Sequence, residues 1–193
     1  AVAMDYLYGN VNNILLMLGN HDMDRIADVV KDQDPRRVKL AYTLLATMRG
    51  IPQVFYGDEY AMKSADRNLG HSTLRMPLPL GEEVTAEMQD MFDYQSRLFQ
   101  WRKGEPVIHT GRTMHFMSRD NTYGFFRYND SEAVFVFANA SEENRTIPTA
   151  NYAEILSKYN PVGVDVITGK TYDLSQTNIV VAPLSSIVVK LSK

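Results

Sequence analysis

Three polar residues in a row, Asn20-His21-Asp22, follow the apolar run Ile14-Leu15-Leu16-Met17-Leu18 and the turn residue Gly19. A carboxylate beside an imidazole can accept and donate hydrogen bonds to the hydroxyls of a sugar. The plainer reading is turn chemistry, since Asn and Asp cap helices and tolerate tight turns. A further carboxylate, Glu59, stands in Tyr56-Gly57-Asp58-Glu59 after another apolar stretch. Glycosidic bonds are cleaved by carboxylate pairs, about 5–5.5 Å apart where configuration is retained. Asp22 and Glu59 form one such candidate pair; Glu59 bound to a cation or a loop amide is the alternative. Arg75 is either a solvated loop residue or a fixed cation holding a carboxylate ionised.

Other chemistries lack their residues. The 193-residue chain has no cysteine, so thiolate and disulfide chemistry are out. His71, His109 and His115 are isolated, and no pair of histidines has ligand spacing, so no metal site is expected. Phosphate-cradling glycine loops and nucleophile elbows are absent. Net charge is −3 with 22% charged residues of mixed sign, which argues against nucleic acid as a partner. No apolar run approaches the roughly 20 residues of a membrane span. Ala1–Tyr8 has no targeting pattern, and the compartment, whether periplasmic, secreted or cytoplasmic, stays open.

The elements that must position these groups change character near Gly104-Glu105-Pro106. Before that point, Ile14–Leu18 reads as a strand buried on both faces. Asp34-Pro35 starts a helix whose Val38, Ala41, Tyr42, Leu45 and Met48 share a face. Pro52–Tyr56 reads as a second strand, parallel to the first. A long loop from Gly57 to about Val84 follows, then a helix from about Thr85 to Lys103. A polar triplet at the C-terminal end of a parallel strand lies where α/β barrels keep their catalytic residues.

Beyond the boundary the period becomes two. Short strands are expected at 114–118, 122–128, 133–139, 144–148, 164–167, 171–174, 179–182 and 186–191, divided by turns such as Arg119-Asp120-Asn121 and Thr168-Gly169-Lys170. That pattern predicts an antiparallel sandwich. Its aromatics, Tyr123, Phe125, Phe126, Tyr128, Phe135 and Phe137, are read as core, with a sugar-stacking platform as the rival. The expected domains are therefore 1–104 and 105–193. Two parallel strands and two helices leave open edges and uncovered faces, so residues 1–104 are expected to be the end of a larger barrel.

Three segments, in order, resemble the C-terminal part of the α-amylase superfamily of glycoside hydrolases. Leu18-Gly19-Asn20-His21-Asp22-Met23-Asp24-Arg25 resembles the family's strand-seven motif, and Gly50-Ile51-Pro52-Gln53-Val54-Phe55-Tyr56-Gly57-Asp58-Glu59 its strand-eight motif. Trp101-Arg102-Lys103, leading into Pro106-Val107-Ile108, resembles the last barrel helix entering the C-terminal β-domain. Asp5-Tyr6-Leu7-Tyr8 and the run 112–128 give it a neopullulanase and cyclomaltodextrinase flavour. The resemblance implies an α/β plus all-β fold: the last two βα units of a (β/α)8 TIM barrel, then an antiparallel C-terminal β-sandwich.

The resemblance also implies roles. Asp22 matches the third catalytic carboxylate, a transition-state stabiliser binding sugar hydroxyls. His21 and Asn20 belong to the same substrate-binding subsite, and Arg75 matches a loop arginine there. The family often has an acidic residue four positions before that arginine, where this chain has His71. The nucleophile Asp and acid/base Glu precede strand seven, so neither falls in this sequence, and Glu59 becomes a structural residue. The implied parent is a retaining enzyme on α-1,4 links of starch-like oligosaccharides or cyclodextrins, and the segment alone is expected to be inactive. Its implied partners are an α-glucan oligosaccharide and the N-terminal part of the barrel. Cofactors are unknown: calcium stays open for the parent, with no site evident in this segment. The rivals are a non-catalytic carbohydrate-binding or scaffolding module, and a piece that self-associates through unpaired strand edges.

Overall fold

The computed structural model describes residues 2–193, with side chains from Met4 onward except those of Arg67 and His71. The residue set against the family's acidic position, His71, thus has its side chain outside the described residues.

The first half contains a two-stranded parallel sheet, β1 (Leu15–Met17) and β2 (Ile51–Gln53), in the register Leu15↔Ile51, Leu16↔Pro52, Met17↔Gln53. Between the strands run a one-turn helix, α1 (Ile26–Val29), and α2 (Pro35–Thr47). Asp34 caps α2, its carboxylate accepting the Arg36 N–H at 2.8 Å, and Pro35 occupies the first turn where no N–H is needed. Val38, Tyr42 and Leu45 on α2 pack with Ala27 and Met91 and against Leu16 and Leu18.

Helix α3 (Ala86–Lys103) is capped by Thr85, whose hydroxyl accepts from the Met88 N–H at 3.3 Å. It packs on α2 through Met91, Gln95, Leu98 and Arg102. The Arg102 guanidinium donates to the carbonyls of Ala46 (2.6 Å), Met48 (3.1 Å) and Gly50 (2.6 Å). It thereby satisfies acceptors left open where α2 ends and β2 begins. Gly50, at φ +103°, makes that turn; a Cβ there would strike the Ile14 carbonyl.

After α4 (Pro106–Thr110) come eight strands: β3 (Arg112–His115), β4 (Thr122–Tyr128), β5 (Glu132–Asn139), β6 (Arg145–Thr146), β7 (Val162–Asp165), β8 (Thr171–Asp173), β9 (Val180–Val181) and β10 (Ser185–Ser192). A short helix, α5 (Ala153–Leu156), lies between β6 and β7. Six strands make one antiparallel sheet in the order β3-β4-β5-β10-β7-β8, and β6 and β9 pair separately. Asp120 and Asn121 take positive φ in the turn before β4, which these side chains tolerate.

The two faces of the large sheet meet different partners. Phe126, Phe135, Phe137, Ile187 and Val189 pack with Ile147, Tyr152, Ile155 and Val181 from the β6–β9 side. Phe125, Val134, Val136 and Val188 pack instead with Ala46 of α2, Leu98 of α3, and Val107 and Ile108 of α4. The expected sandwich is thus one broad sheet with a two-stranded second layer, and helices cover its other face. The expected strand at 14–18 is present but shorter and not buried on both faces. Leu15 is 49% exposed and Ile51 51% exposed, because β1 and β2 pair only with each other. The expected strand at 52–56 closes at Gln53, before the Tyr56-Gly57 turn.

Candidate functional site

The chain leaves β1 through Gly19 into a turn fixed by Asn20, whose side-chain oxygen accepts the Asp22 N–H at 2.8 Å. The Asn20 amide also reaches the Met17 sulfur at 3.4 Å. This local bond shapes the turn that carries His21 and Asp22, both exposed. His21 Nε2 lies 3.1 Å from one Asp22 oxygen, and Arg75 Nη2 donates to the other at 3.3 Å. Asn20, His21, Asp22 and Arg75 therefore form one cluster, with Asp22 62% exposed. An ion pair this wet contributes about 0–1 kcal/mol to stability. It holds a carboxylate in place while leaving lone pairs open to hydroxyl donors. Among the described residues Glu59 forms no hydrogen bond or ion pair with Asn20, His21, Asp22 or Arg75.

Beneath the exposed cluster lies a buried one that the sequence reading passed over. Arg25, fully buried, donates from Nη1 to the Tyr56 carbonyl and to Asp58 Oδ1, both at 2.9 Å, and from Nη2 to the Leu74 carbonyl at 2.7 Å. Its guanidinium sits 4.6 Å from the centre of the Phe55 ring and 5.3 Å from that of Tyr56. Asp58 Oδ2 accepts the Tyr42 hydroxyl at 2.8 Å, and the Asp58 carbonyl accepts the Gln95 amide at 2.8 Å. Burial pushes the Asp58 carboxyl above the ordinary carboxylate range, against the pull of Tyr42 and Arg25. Burial, reinforced by the Asp58 charge, pushes the Tyr42 hydroxyl far up, so it stays a donor. Gly57, at φ +87°, permits the close approach: a Cβ would meet the Met62 sulfur and stand 3.2 Å from Arg25 Nη1. The signal for this hub was Arg25 three places after Asp22, which no hydrophobic period announces.

The loop after β2 is tied down along its length. The Asp28 carboxylate accepts the Ser64 N–H and hydroxyl, each at 2.8 Å. Thr73 donates its hydroxyl to the Asp66 and Gly70 carbonyls, both at 3.0 Å. An apolar groove of about 680 Å³ between this loop and the start of α3 is lined by Tyr60, Met62, Met76, Leu78 and Met88. It holds none of Asn20, His21, Asp22 or Arg75.

The strand aromatics offer no sugar platform: Phe125, Phe126, Phe135 and Phe137 are buried, and Tyr123 and Tyr128 half-buried. Among the described residues no group of three or more His, Asp or Glu is arranged to hold a metal ion. No helix among them is long and apolar enough to cross a membrane.

Comparison with known proteins adds the following. Residues 3–148 match the family described as alpha amylase, catalytic domain, and residues 113–190 the cyclo-malto-dextrinase C-terminal domain. A 4-alpha-glucanotransferase of Thermotoga maritima is 26% identical over 168 residues, covering 74% of this chain and 36% of that protein. A cyclomaltodextrin glucanotransferase of Bacillus sp. (strain 6.6.3) is 29% identical over 158 residues, covering 77% of this chain and 20% of that protein. The chain thus spans between a fifth and somewhat over a third of these two relatives. An Anoxybacillus alpha-amylase structure superposes with a TM-score of 0.77 at 18% identity, over 97% of this chain and 40% of that one. The structure of AmyP in complex with maltose does so with a TM-score of 0.77 at 19% identity, over 98% and 42%.

Proposed function

The chain belongs to the α-amylase family, and from that premise we propose that it is the C-terminal part of a retaining enzyme cleaving α-1,4-glucosidic bonds in starch-like oligosaccharides or cyclodextrins. In this reading residues 1–104 are the last two βα units of a (β/α)8 barrel and residues 105–193 its C-terminal β-domain. Asp22 is the transition-state stabiliser. Its carboxylate accepts hydrogen bonds from sugar hydroxyls, which strengthen as positive charge develops at the anomeric carbon and supply several kcal/mol. His21 and Asn20 orient the same sugar, and Arg75 holds Asp22 in its working position.

The observation that carries the reading is Asp22 itself, a carboxylate beyond the C-terminal end of a parallel strand, gripped on both oxygens yet open to solvent. The nucleophile and the acid/base come from residues outside these 193, so the chain alone does not turn over substrate. The exposed Leu15 and Ile51 fit packing against the rest of such a barrel. The relatives' names favour a second outcome of the same chemistry: transfer of the glucosyl unit to a sugar hydroxyl instead of water.

The test is the full-length protein with and without Asp22→Asn, assayed on maltooligosaccharides with product analysis. A loss of at least about 10²-fold in kcat is expected, several kcal/mol being at stake. An unchanged rate overturns the role of Asp22. Longer oligosaccharides among the products mark transfer, and shorter ones alone mark hydrolysis.

A further inference from the structure

The exposed pair of Asp22 and Arg75 keeps its geometry when the chain segments that carry the two residues are held at a fixed separation. Both side chains are wet and their attraction is weak, while Arg75 follows a stretch tied by the Thr73 hydroxyl to Asp66 and Gly70 and precedes Met76, whose carbonyl accepts the Tyr56 hydroxyl at 3.0 Å. The buried Arg25 is connected to both segments. Asp22 precedes it by three residues on a turn already fixed by Asn20. Arg75 directly follows Leu74, whose carbonyl Arg25 Nη2 holds at 2.7 Å in a dry environment. Two short tethers, one covalent and one hydrogen-bonded, therefore run from a single guanidinium to the two partners of the exposed pair.

Charge balance does not require the Leu74 bond. Asp58 neutralises Arg25, and the Tyr56 carbonyl takes a further N–H. The contact with Leu74 uses the other arm of the fork to reach the far end of the loop, while Asp58 and Tyr56 anchor its near end. We infer that Arg25 is a positioning residue: it spans the loop after β2 and sets the distance between Arg75 and Asp22. The inference rests on the reading of Asp22 given above. The planar fork is essential, because a lysine at this position keeps the ion pair with Asp58 but cannot serve Leu74 at the same time.

The variant that separates the two jobs is Arg25→Lys, and two measurements are made on it. The first is the crystal structure of the full-length protein carrying Arg25→Lys, set beside that of the unsubstituted protein. Arg75 is expected to leave Asp22, and an unmoved Arg75–Asp22 contact overturns the inference whatever the activity. The second is a double-mutant cycle in the full-length protein, with kcat and KM measured for Arg25→Lys, Arg75→Ala and their combination. A displacement of about 1 Å costs on the order of 10²-fold in rate, so kcat is expected to fall ten- to hundredfold with KM little changed. The combination is expected to be no slower than Arg75→Ala alone. Equal losses from Arg25→Lys with and without Arg75 overturn the inference.

Tyr42→Phe, which loosens Asp58 without touching Leu74, is expected to lower Tm and leave kcat within about twofold. If Arg25→Lys does not fold, the neutral pair Arg25→Gln with Asp58→Asn, which removes the fork without leaving a buried charge unpaired, is put through the same two measurements and judged by the same two outcomes. If Asp22→Asn leaves kcat unchanged while Arg75 moves in Arg25→Lys, the site reading fails and the positioning stands.

Discussion

The six-stranded sheet and the β1–β2 sheet solve the burial problem in opposite ways. Every residue of β5 from Ala133 to Asn139 is buried, with strands on either side and packed layers above and below. β1 and β2 have only each other, and Leu15, Met17 and Ile51 stay exposed. The broad sheet carries the packing, while the narrow one carries the candidate chemistry at its strand ends. The contrast recurs vertically in the first half, where the wet Asp22–Arg75 pair sits over the dry Arg25–Asp58 pair. What is open to a ligand contributes little to stability, and what stabilises is closed to ligands.

The comparison can be broken most directly at its extremes. Phe135→Ala removes a ring buried on β5 and stacked 4.7 Å from Phe126, and should cost about 3–5 kcal/mol in urea unfolding. Leu15→Ala on β1 should change the same measurement by about 0.5 kcal/mol or less; a cost near that of Phe135→Ala would erase the distinction between the sheets. Next in size, Asp58→Ala leaves the buried Arg25 charge without its partner and should cost about 3 kcal/mol. Arg75→Ala, at the wet pair, should cost less than about 1 kcal/mol by the same method. Comparable losses at the two pairs would show that the exposed one is structural after all.

The smallest expected effect is a dependence on alkali. Lys190 on β10 donates to Glu105 at 2.7 and 2.9 Å and approaches Glu132 at 3.2 Å. Burial pulls its ammonium down, but the hydrogen bonds to Glu105 and Glu132 outweigh that and leave it above its ordinary 10.5. A cation held more tightly folded than unfolded contributes stability that is whole below pH 10.5 and disappears as pH climbs through the higher folded value. Lys190→Met should therefore flatten the alkaline limb of the Tm-against-pH curve. An unaltered slope would remove the pair from the stability of the sheet.

Much of this architecture was legible because local chemistry marks it. Asp34-Pro35, Thr85 and Gly104 bracket the two long helices, and Asp120-Asn121 names its own turn. The strands of the second half are marked out by turns at short intervals, although β3 and β7 each lie about two residues earlier than the expected 114–118 and 164–167. What was hidden depends on tertiary partners. Phe125 and Phe126 are neighbours on opposite faces, and both are buried; with helices on one side and β6–β9 on the other, the alternation that betrays a half-buried strand vanishes. α5 is only four residues long, too short to show a period. The exposed faces of β1 and β2 could not be read from an apolar run, which looks the same whether or not anything covers it. Asn20, His21, Asp22 and Arg75 were picked out by strand-end position and resemblance. Arg25, Asp58 and Tyr42 were not, since no pattern distinguishes a buried arginine from a solvated one.

One face of the broad sheet is roofed by helices encoded before it: Val134, Val136 and Val188 rest on Ala46 and Leu98. Gene shuffling at the Gly104 boundary therefore cannot treat the second half as a transplantable cassette. A recipient protein must supply a helix pair of matching shape at that seam, so the residues of α2 and α3 that face the sheet are the ones to carry along in any chimera.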